Sequence, residues 1–454
     1  MASAASRGRG AYVGWLRGCV KAIAALYLGA GKWPKLVGMT ENPKSPSDPF
    51  DRALADWHGG RFEAALAGLR AATTGGDAGC ASLLLQMSAD PSAPAGARTA
   101  AAEALLTAPD QPLMRRHAGY VRASGYGMVA DPATALSQRI AEARGGDVQA
   151  MAEIGLLTCL LGPDEAAEPL LEAAAAAGSA AALAALLRLA LEAGQLSPIA
   201  RRHAAALARS GHPLAASLVP AASALPDRPA PANAGDAALD WPDAATLLAA
   251  IEAPAAMPAQ ILHEAPHIAR STGFLPSALC DYLAAQAAPL LRPAQIFDGA
   301  TGQTRPDPHR QAMSAALPDG AMDLVLWAVK RRMAALAGGC FEQGEPLAVL
   351  LYRPGEQYRP HVDFLSEDGH AASADLARRG QRVATTLVRL NQEFTGGDTV
   401  FPRLDTRWTG QRGDALSFAN IDPDGQGDPM TLHAGEPVQS GLKILASLWL
   451  RERP

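Results

Sequence analysis

From about residue 49 to residue 220, alanine and leucine recur at three- and four-residue spacing and β-branched residues are scarce. That periodicity predicts a succession of helices. Turns of one kind punctuate them: Gly75-Gly76-Asp77-Ala78, Gly145-Gly146-Asp147-Val148, Ala177-Gly178-Ser179-Ala180 and Ser210-Gly211-His212-Pro213. A glycine in the left-handed conformation there ends one helix before the next begins. Gly146, Gly178 and Gly211 are spaced by 32 and 33 residues, and the 70 from Gly76 to Gly146 are close to two such periods. Helix pairs at this period are expected to stack as a solenoid, each burying its apolar face on its neighbours. Residues 221–245 are Pro/Ala-rich, and Pro226, Pro229 and Pro231 favour an extended connector over a helix.

Beyond residue 245 the pattern changes. Helices are predicted over 276–291 and 321–337. Short β-type runs follow at 347–352, 382–390, 414–418 and 442–450, separated by turns such as Pro354-Gly355 and Gly396-Gly397-Asp398. Helices followed by many short strands predict an α+β multidomain chain, with an N-terminal α-helical repeat solenoid and a C-terminal antiparallel sandwich or jelly roll with flanking helices. The domains read as a leader (1–48), a helical repeat region (49–220), a linker (221–245) and a C-terminal domain (246–454).

Composition narrows the function. Forty Lys and Arg against 45 Asp and Glu in 454 residues leave a net charge of −5, without the basic excess of a nucleic-acid binder. Five scattered cysteines without a Cys-x-x-Cys exclude a disulfide framework and a zinc knuckle and suit a reducing, cytoplasmic compartment. The longest apolar run, 173–187, is alanine-rich and too short to span a bilayer. Arg7, Arg9, Arg17 and Lys21 flank a mildly apolar stretch, but Arg17 and Lys21 interrupt any signal-peptide core, so a disordered or amphipathic leader is expected, with Met39 as an alternative start.

His361-Val362-Asp363 places an imidazole and a carboxylate two apart, on one face if the segment is extended, and His433 lies before the final strand. Two histidines and a carboxylate with open positions suit a non-haem Fe(II) oxygenase site. A rival pattern, His263-Glu264-Ala265-Pro266-His267, matches the zinc-peptidase His-Glu-x-x-His, but Pro266 opposes the helix that motif needs.

An ordered series surrounds the first set: Tyr352-Arg-Pro-Gly-Glu-Gln-Tyr358-Arg-Pro-His361-Val-Asp363, Arg382-Val-Ala-Thr385, Gly396-Gly-Asp-Thr-Val-Phe-Pro402, Gly413-Asp-Ala-Leu-Ser-Phe418, Asp422-Pro-Asp-Gly425, Leu432-His-Ala-Gly-Glu-Pro-Val438 and Gly441-Leu-Lys443. From about residue 261 to 450 the chain resembles the prolyl 4-hydroxylase type of iron(II)/2-oxoglutarate dioxygenase. The resemblance implies a double-stranded β-helix, Fe(II), 2-oxoglutarate and O2, with ascorbate as reductant. It implies His361, Asp363 and His433 as metal ligands and catalytic residues. Lys443 would bind the distal carboxylate of 2-oxoglutarate, assisted by Tyr352 and Thr385; otherwise it guards a strand edge. Tyr358, Trp449, Arg310 and Arg389 are candidate pocket or substrate residues, and a packed core position is the equal reading for Trp449. Two departures bear on the substrate. Arg389 stands where the family usually has an aromatic residue, and His309-Arg310-Gln311-Ala312-Met313-Ser314 replaces its Arg-Ser/Thr-Ser element. The loop 366–380 is either a lid or a plain solvated loop.

The helical half resembles tetratricopeptide-type repeats, particularly the Sel-one-like subclass, in Trp57-His-Gly-Gly-Arg-Phe-Glu-Ala-Ala65 and Asp131-Pro-Ala-Thr-Ala-Leu136. It is expected either to bind a protein or to act as a spacer or dimer platform. The function implied is hydroxylation of a protein or peptide substrate at prolyl residues, with the repeats recruiting it. The alternatives are a non-catalytic repeat scaffold or oxygen/2-oxoglutarate sensor, and, remotely, a zinc peptidase using His263 and His267. The alanine-rich composition suggests a bacterial source.

Overall fold

The computed structural model describes residues 48–90, 92–162, 166–228, 239–253, 259–298, 303–306, 309–365 and 370–454. The expected leader and alternative start, and residues 229–238 of the expected linker, lie outside the described residues. The N-terminal part is helical: α1 (Pro49–His58), α2 (Phe62–Thr74), α3 (Ala78–Ala89), α4 (Ala97–Leu106), α5 (Pro112–Ser124), α6 (Pro132–Arg144), α7 (Val148–Thr158), α8 (Glu168–Ala176), α9 (Ala180–Ala193), α10 (Pro198–Arg209) and α11 (Ala215–Ser223). Then come α12 (Ala244–Glu252), α13 (Ser277–Ala287), α14 (Leu324–Leu336) and α15 (His370–Arg379). The segment expected to be a loop before Gly380 is therefore helical from His370.

The repeated turns share one mechanism. Gly76, Gly146 and Gly178 have φ of 93°, 90° and 102°, which a side chain would strain. Around each, paired backbone bonds close the helix, as in Gly76 N–H to Thr73 O (2.9 Å) and Asp77 N–H to Ala72 O (3.0 Å). The next residue then opens the following helix: Asp77, Asp147 and Ser179 accept from the amides of Cys80, Ala150 and Ala182. Gly211 is also left-handed, but no such cap follows it.

The chain divides into two compact units. The first runs through Arg139 and includes Pro318–Leu324; the second holds Ile140–Leu317 and Val325–Pro454. Within the first, Arg116 donates to the Ala321 carbonyl (2.6 Å) and pairs with Asp323 at 3.1 Å, both side chains fully buried. Removing one partner breaks a fully buried ion pair, so Asp323→Ala is expected to cost about 3–5 kcal/mol, read as a lower urea midpoint; replacing both by apolar residues should cost far less.

The second unit carries sixteen strands among the described residues: β1 (Gln260–His263), β2 (Ile268–Ser271), β3 (Arg292–Pro293), β4 (Gln295–Asp298), β5 (Gln303–Pro306), β6 (Met313–Ala316), β7 (Ala348–Tyr352), β8 (Tyr358–His361), β9 (Arg382–Arg389), β10 (Phe394–Gly396), β11 (Thr399–Phe401), β12 (Thr406–Trp408), β13 (Ala415–Ala419), β14 (His433–Gly435), β15 (Val438–Gly441) and β16 (Lys443–Arg451). An eight-stranded sheet runs β1-β2-β13-β9-β16-β7-β6-β3 and a four-stranded one β12-β11-β14-β8, with β10-β15 and β4-β5 as separate pairs. Each of these pairings is antiparallel. Leu350, Leu387, Phe418 and Leu445 of the large sheet form one core cluster with Phe401 and Trp408 of the small one. On β9 both faces are covered, and Thr386 donates from its hydroxyl to the Met333 carbonyl of α14 at 3.0 Å. Arg188 of α9 and Arg412 converge on Asp281 of α13, at 2.7 and 2.6 Å. The later repeat-region helices are thereby joined to the sheets inside one unit.

Candidate metal and cosubstrate site

β8 ends at His361 and β14 begins at His433, and the antiparallel register sets these two residues directly opposite each other. Directly opposed residues project to the same face, and the imidazole centroids are 4.2 Å apart. The strand stops before Asp363, so the carboxylate is not the i+2 neighbour of His361 on one strand. It sits in the bend that follows, where Thr385 of β9 donates its hydroxyl to Asp363 Oδ2 at 2.8 Å and Arg382 reaches the Asp363 carbonyl at 3.5 Å. Asp363 Oδ1 lies 3.6 Å from His361 Nε2, and Oδ2 lies 3.7 Å from His433 Nε2. One ligand atom from each of the three falls within 4.8 Å of the others, the one such group among the described residues.

The imidazoles are set to ligate. His361 Nδ1 is 2.9 Å from the Arg359 carbonyl and His433 Nδ1 is 3.0 Å from the Thr431 carbonyl. A carbonyl only accepts, so each Nδ1 carries the proton, and in the neutral ring Nε2 keeps its lone pair facing the cluster. Burial, reinforced by the neighbouring His433, lowers the His361 pKa to about 4 and holds that ring neutral. Burial alone would raise the Asp363 carboxyl, but His433, His361, Arg382 and the Thr385 hydroxyl outweigh it and hold the group below the usual carboxylate range. Two imidazoles and an ionised carboxylate are a fitting donor set for Fe(II).

The cluster opens into a cavity whose second wall is the large sheet. Leu350 and Tyr352 of β7, Leu387 of β9, and Lys443, Leu445, Ser447 and Trp449 of β16 line it, with Tyr358 and Thr399 from the small-sheet side. Alternation along β16 puts Lys443 and Trp449 on the same face, as expected from their even spacing. Lys443 pairs in register with Tyr352, its ammonium lying 5.1 Å from the tyrosine ring. It is 2% exposed and donates to the Gly397 carbonyl at 2.7 Å, and no carboxylate among the described residues pairs with it. Burial, then the like charge of Arg389, lowers its pKa to about 7, with Asp398 opposing.

The remaining candidates separate. Tyr358 stacks on His361 with ring centroids 3.4 Å apart, and the Arg310 guanidinium lies 5.4 Å from the Tyr358 ring. Arg389 does not line the cavity; it is buried against Phe394 and Trp408 and reaches Asp398 at 3.4 Å. Thr385 is engaged elsewhere than expected. Its single proton goes to Asp363 and is not free for a cosubstrate carboxylate. Asn420, absent from the residues expected, donates from Nδ2 to Thr385 Oγ1 at 2.9 Å. The one local signal for it is a polar residue closing the buried β13 run, which a sequence cannot tell from an ordinary strand end. His263 ends β1, and its Nδ1 is 3.1 Å from the Pro266 carbonyl in the turn before β2. The helix a zinc-peptidase motif needs is not formed there.

A model of the 2OG-Fe(II) oxygenase superfamily matches residues 347–451. "Prolyl 4-hydroxylase 1" of Arabidopsis thaliana is 31% identical over 208 residues, 43% of this chain and 72% of that protein. The chain belongs to the prolyl 4-hydroxylase family of 2OG-Fe(II) oxygenases. Two further relatives align over less of their length. A putative prolyl 4-hydroxylase of Acanthamoeba polyphaga mimivirus is 40% identical over 25% of this chain and 47% of its own. The rat prolyl 4-hydroxylase subunit alpha-1 is 34% identical over 41% of this chain and 35% of its own. A crystal structure of a viral collagen prolyl hydroxylase from Paramecium bursaria Chlorella virus 1, in complex with 2OG, is 28% identical, covering 40% of this chain and 95% of that one at a TM-score of 0.32. The chain is a 2-oxoglutarate-dependent oxygenase working with Fe(II), 2-oxoglutarate and O2. No helix among the described residues is long and apolar enough to cross a membrane.

Proposed function

We propose that this oxygenase hydroxylates a peptide or protein substrate at prolyl residues, with His361, Asp363 and His433 holding Fe(II) and Lys443 holding the distal carboxylate of 2-oxoglutarate. The observation that carries the reading is Lys443: a buried amine with no carboxylate partner among the described residues, on the wall of the cavity that the His/Asp/His cluster opens into. A buried cation without a counter-charge is costly, and a dianionic cosubstrate supplies that charge. Tyr352 flanks the ammonium, and the leucines on the same wall keep water from the carbon chain between the two ends. Bound iron, with 2-oxoglutarate and O2, supplies the oxidising power to convert a C–H bond to C–OH; the protein supplies ligands, orientation and a dry pocket. Ascorbate serves as reductant.

Prolyl specificity rests on the names the relatives carry. The Arg310–Tyr358–His361 stack supports a substrate contact at the rim. We read the two sheets as the faces of a double-stranded β-helix within an oxygenase domain, 246–454. Helical repeats over 49–220 and a connector between α11 and α12 precede it, and the repeats recruit the substrate protein. The shared turn chemistry at Gly76, Gly146 and Gly178 supports the repeat reading.

The direct test is an anaerobic titration of the purified protein with Fe(II) and 2-oxoglutarate. A visible absorption that appears only when both are present is expected. Its absence, with iron unbound, would leave a scaffold carrying the fold without its chemistry.

A further inference from the structure

Asp363 does not stand alone behind the site. Its Oδ2 accepts from Thr385 Oγ1 at 2.8 Å, and Thr385 Oγ1 accepts from Asn420 Nδ2 at 2.9 Å. The direction of this chain is forced. An ionised carboxylate only accepts, so the Thr385 proton points at Asp363 and the Asn420 amide must present its NH2 to the threonine oxygen. Both Thr385 and Asn420 are 0% exposed, so water does not compete for either bond.

Asn420 is also an odd choice for the fold alone. Its backbone is satisfied through Val383 O and the Asp428 amide, bonds that any side chain there would allow. Its side-chain Oδ1 is buried with no hydrogen-bond partner among the described residues. A buried orphan acceptor is destabilising, and an apolar side chain of similar size would remove it. What the amide does in return is orient the Thr385 hydroxyl, and through it the carboxylate.

We propose that Asn420 and Thr385 form a positioning relay that fixes the rotation of the Asp363 carboxylate, presenting Oδ1 to the metal while Oδ2 is held back by the hydroxyl. This rests on the reading of His361, Asp363 and His433 as metal ligands. Neither relay residue would be a ligand to the ion; both would act through Asp363. Thr385 thereby leaves the cosubstrate contact to Lys443 and Tyr352 and serves the metal instead.

The test is titration of the full-length apo-protein with Co(II), whose visible spectrum reports both affinity and geometry, for the wild type, Asn420→Leu, Thr385→Val and Thr385→Ser. Partners of ligating carboxylates typically contribute about 10- to 100-fold in metal affinity. Asn420→Leu and Thr385→Val are therefore expected to bind cobalt at least about tenfold more weakly, with altered spectra. Thr385→Ser, which keeps the hydroxyl, should stay within about twofold of the wild type. Melting temperatures of the metal-free proteins should not follow this order, since Asn420→Leu also removes an orphan oxygen. If Asn420→Leu fails to fold, the valine–serine pair at 385 decides. Wild-type affinity and spectrum in Thr385→Val, or equal weakening in Thr385→Ser, overturns the relay. Failure of the wild type to bind cobalt overturns the ligand reading beneath it.

Discussion

Asp363→Ala and His361→Ala are each expected to abolish turnover, measured as succinate formed from 2-oxoglutarate, to below about one-thousandth of the wild-type rate. A bound metal is worth several kcal/mol of transition-state stabilisation, and each 1.36 kcal/mol is about tenfold in rate. The three ligand atoms fall within 4.8 Å of one another, so loss of one leaves a two-ligand site. The substitution at 363 also removes the acceptor of Thr385 and the carboxylate facing the half-buried His361 and buried His433 imidazoles. Near-UV circular dichroism should be retained, because the His361–His433 pairing is part of the backbone ladder and not of the carboxylate. Iron-dependent succinate formation surviving in both variants would overturn the assignment.

Lys443→Ala should raise the KM for 2-oxoglutarate by at least about 30-fold, with iron affinity unchanged. Truncating one member of a buried charge pair costs about 2–5 kcal/mol, and here the cation is 2% exposed. The same lysine predicts a pH dependence. With its pKa lowered from 10.5 to about 7 in the free protein, it is mostly neutral above pH 7. A dianion bound beside it favours the ammonium, so binding takes up a proton. Affinity should therefore fall as pH rises from 7 to 9, approaching tenfold per unit, by equilibrium dialysis under argon. Arg389 adds to the lowering and Asp398 opposes it, so Arg389→Met should move the onset to higher pH. For the free protein the sign is opposite: the unfolded chain binds this proton and the folded one does not, so stability contributed here rises from about pH 7 to 10.5. A pH-independent 2-oxoglutarate affinity between 7 and 9 would contradict the assignment of Lys443.

Much of the architecture was legible because its signals are local. Helix periodicity needs only neighbours three and four apart. The Gly-Asp and Gly-Ser turns encode both a left-handed stop and an N-cap within three residues, as Gly76-Asp77 and Gly178-Ser179 show. The strands of the large sheet that carry Tyr352, Thr385 and Lys443 were likewise readable as β-branched or apolar runs between turns. Helix α15 was not predicted because its ten residues, though rich in alanine, are too few for propensity alone to decide, and they follow a turn-rich stretch.

The sequence by itself determined the residue types of the site and their alternation: His361, Asp363 and His433 as donors, and Lys443 with Trp449 on one strand face. Only the tertiary structure decided how they meet. His433 finds His361 through a strand register across about seventy residues of chain, and Asp363 is aimed by Thr385 from a third strand. Asn420 enters only because β13 lies beside β9. Arg389, on the same strand as Thr385, is turned away from the cavity by its packing on Phe394 and Trp408. Alternation and turn chemistry act between neighbours along the chain. Register, burial and the direction of a hydroxyl proton arise from contacts between strands far apart in sequence, which no single strand encodes.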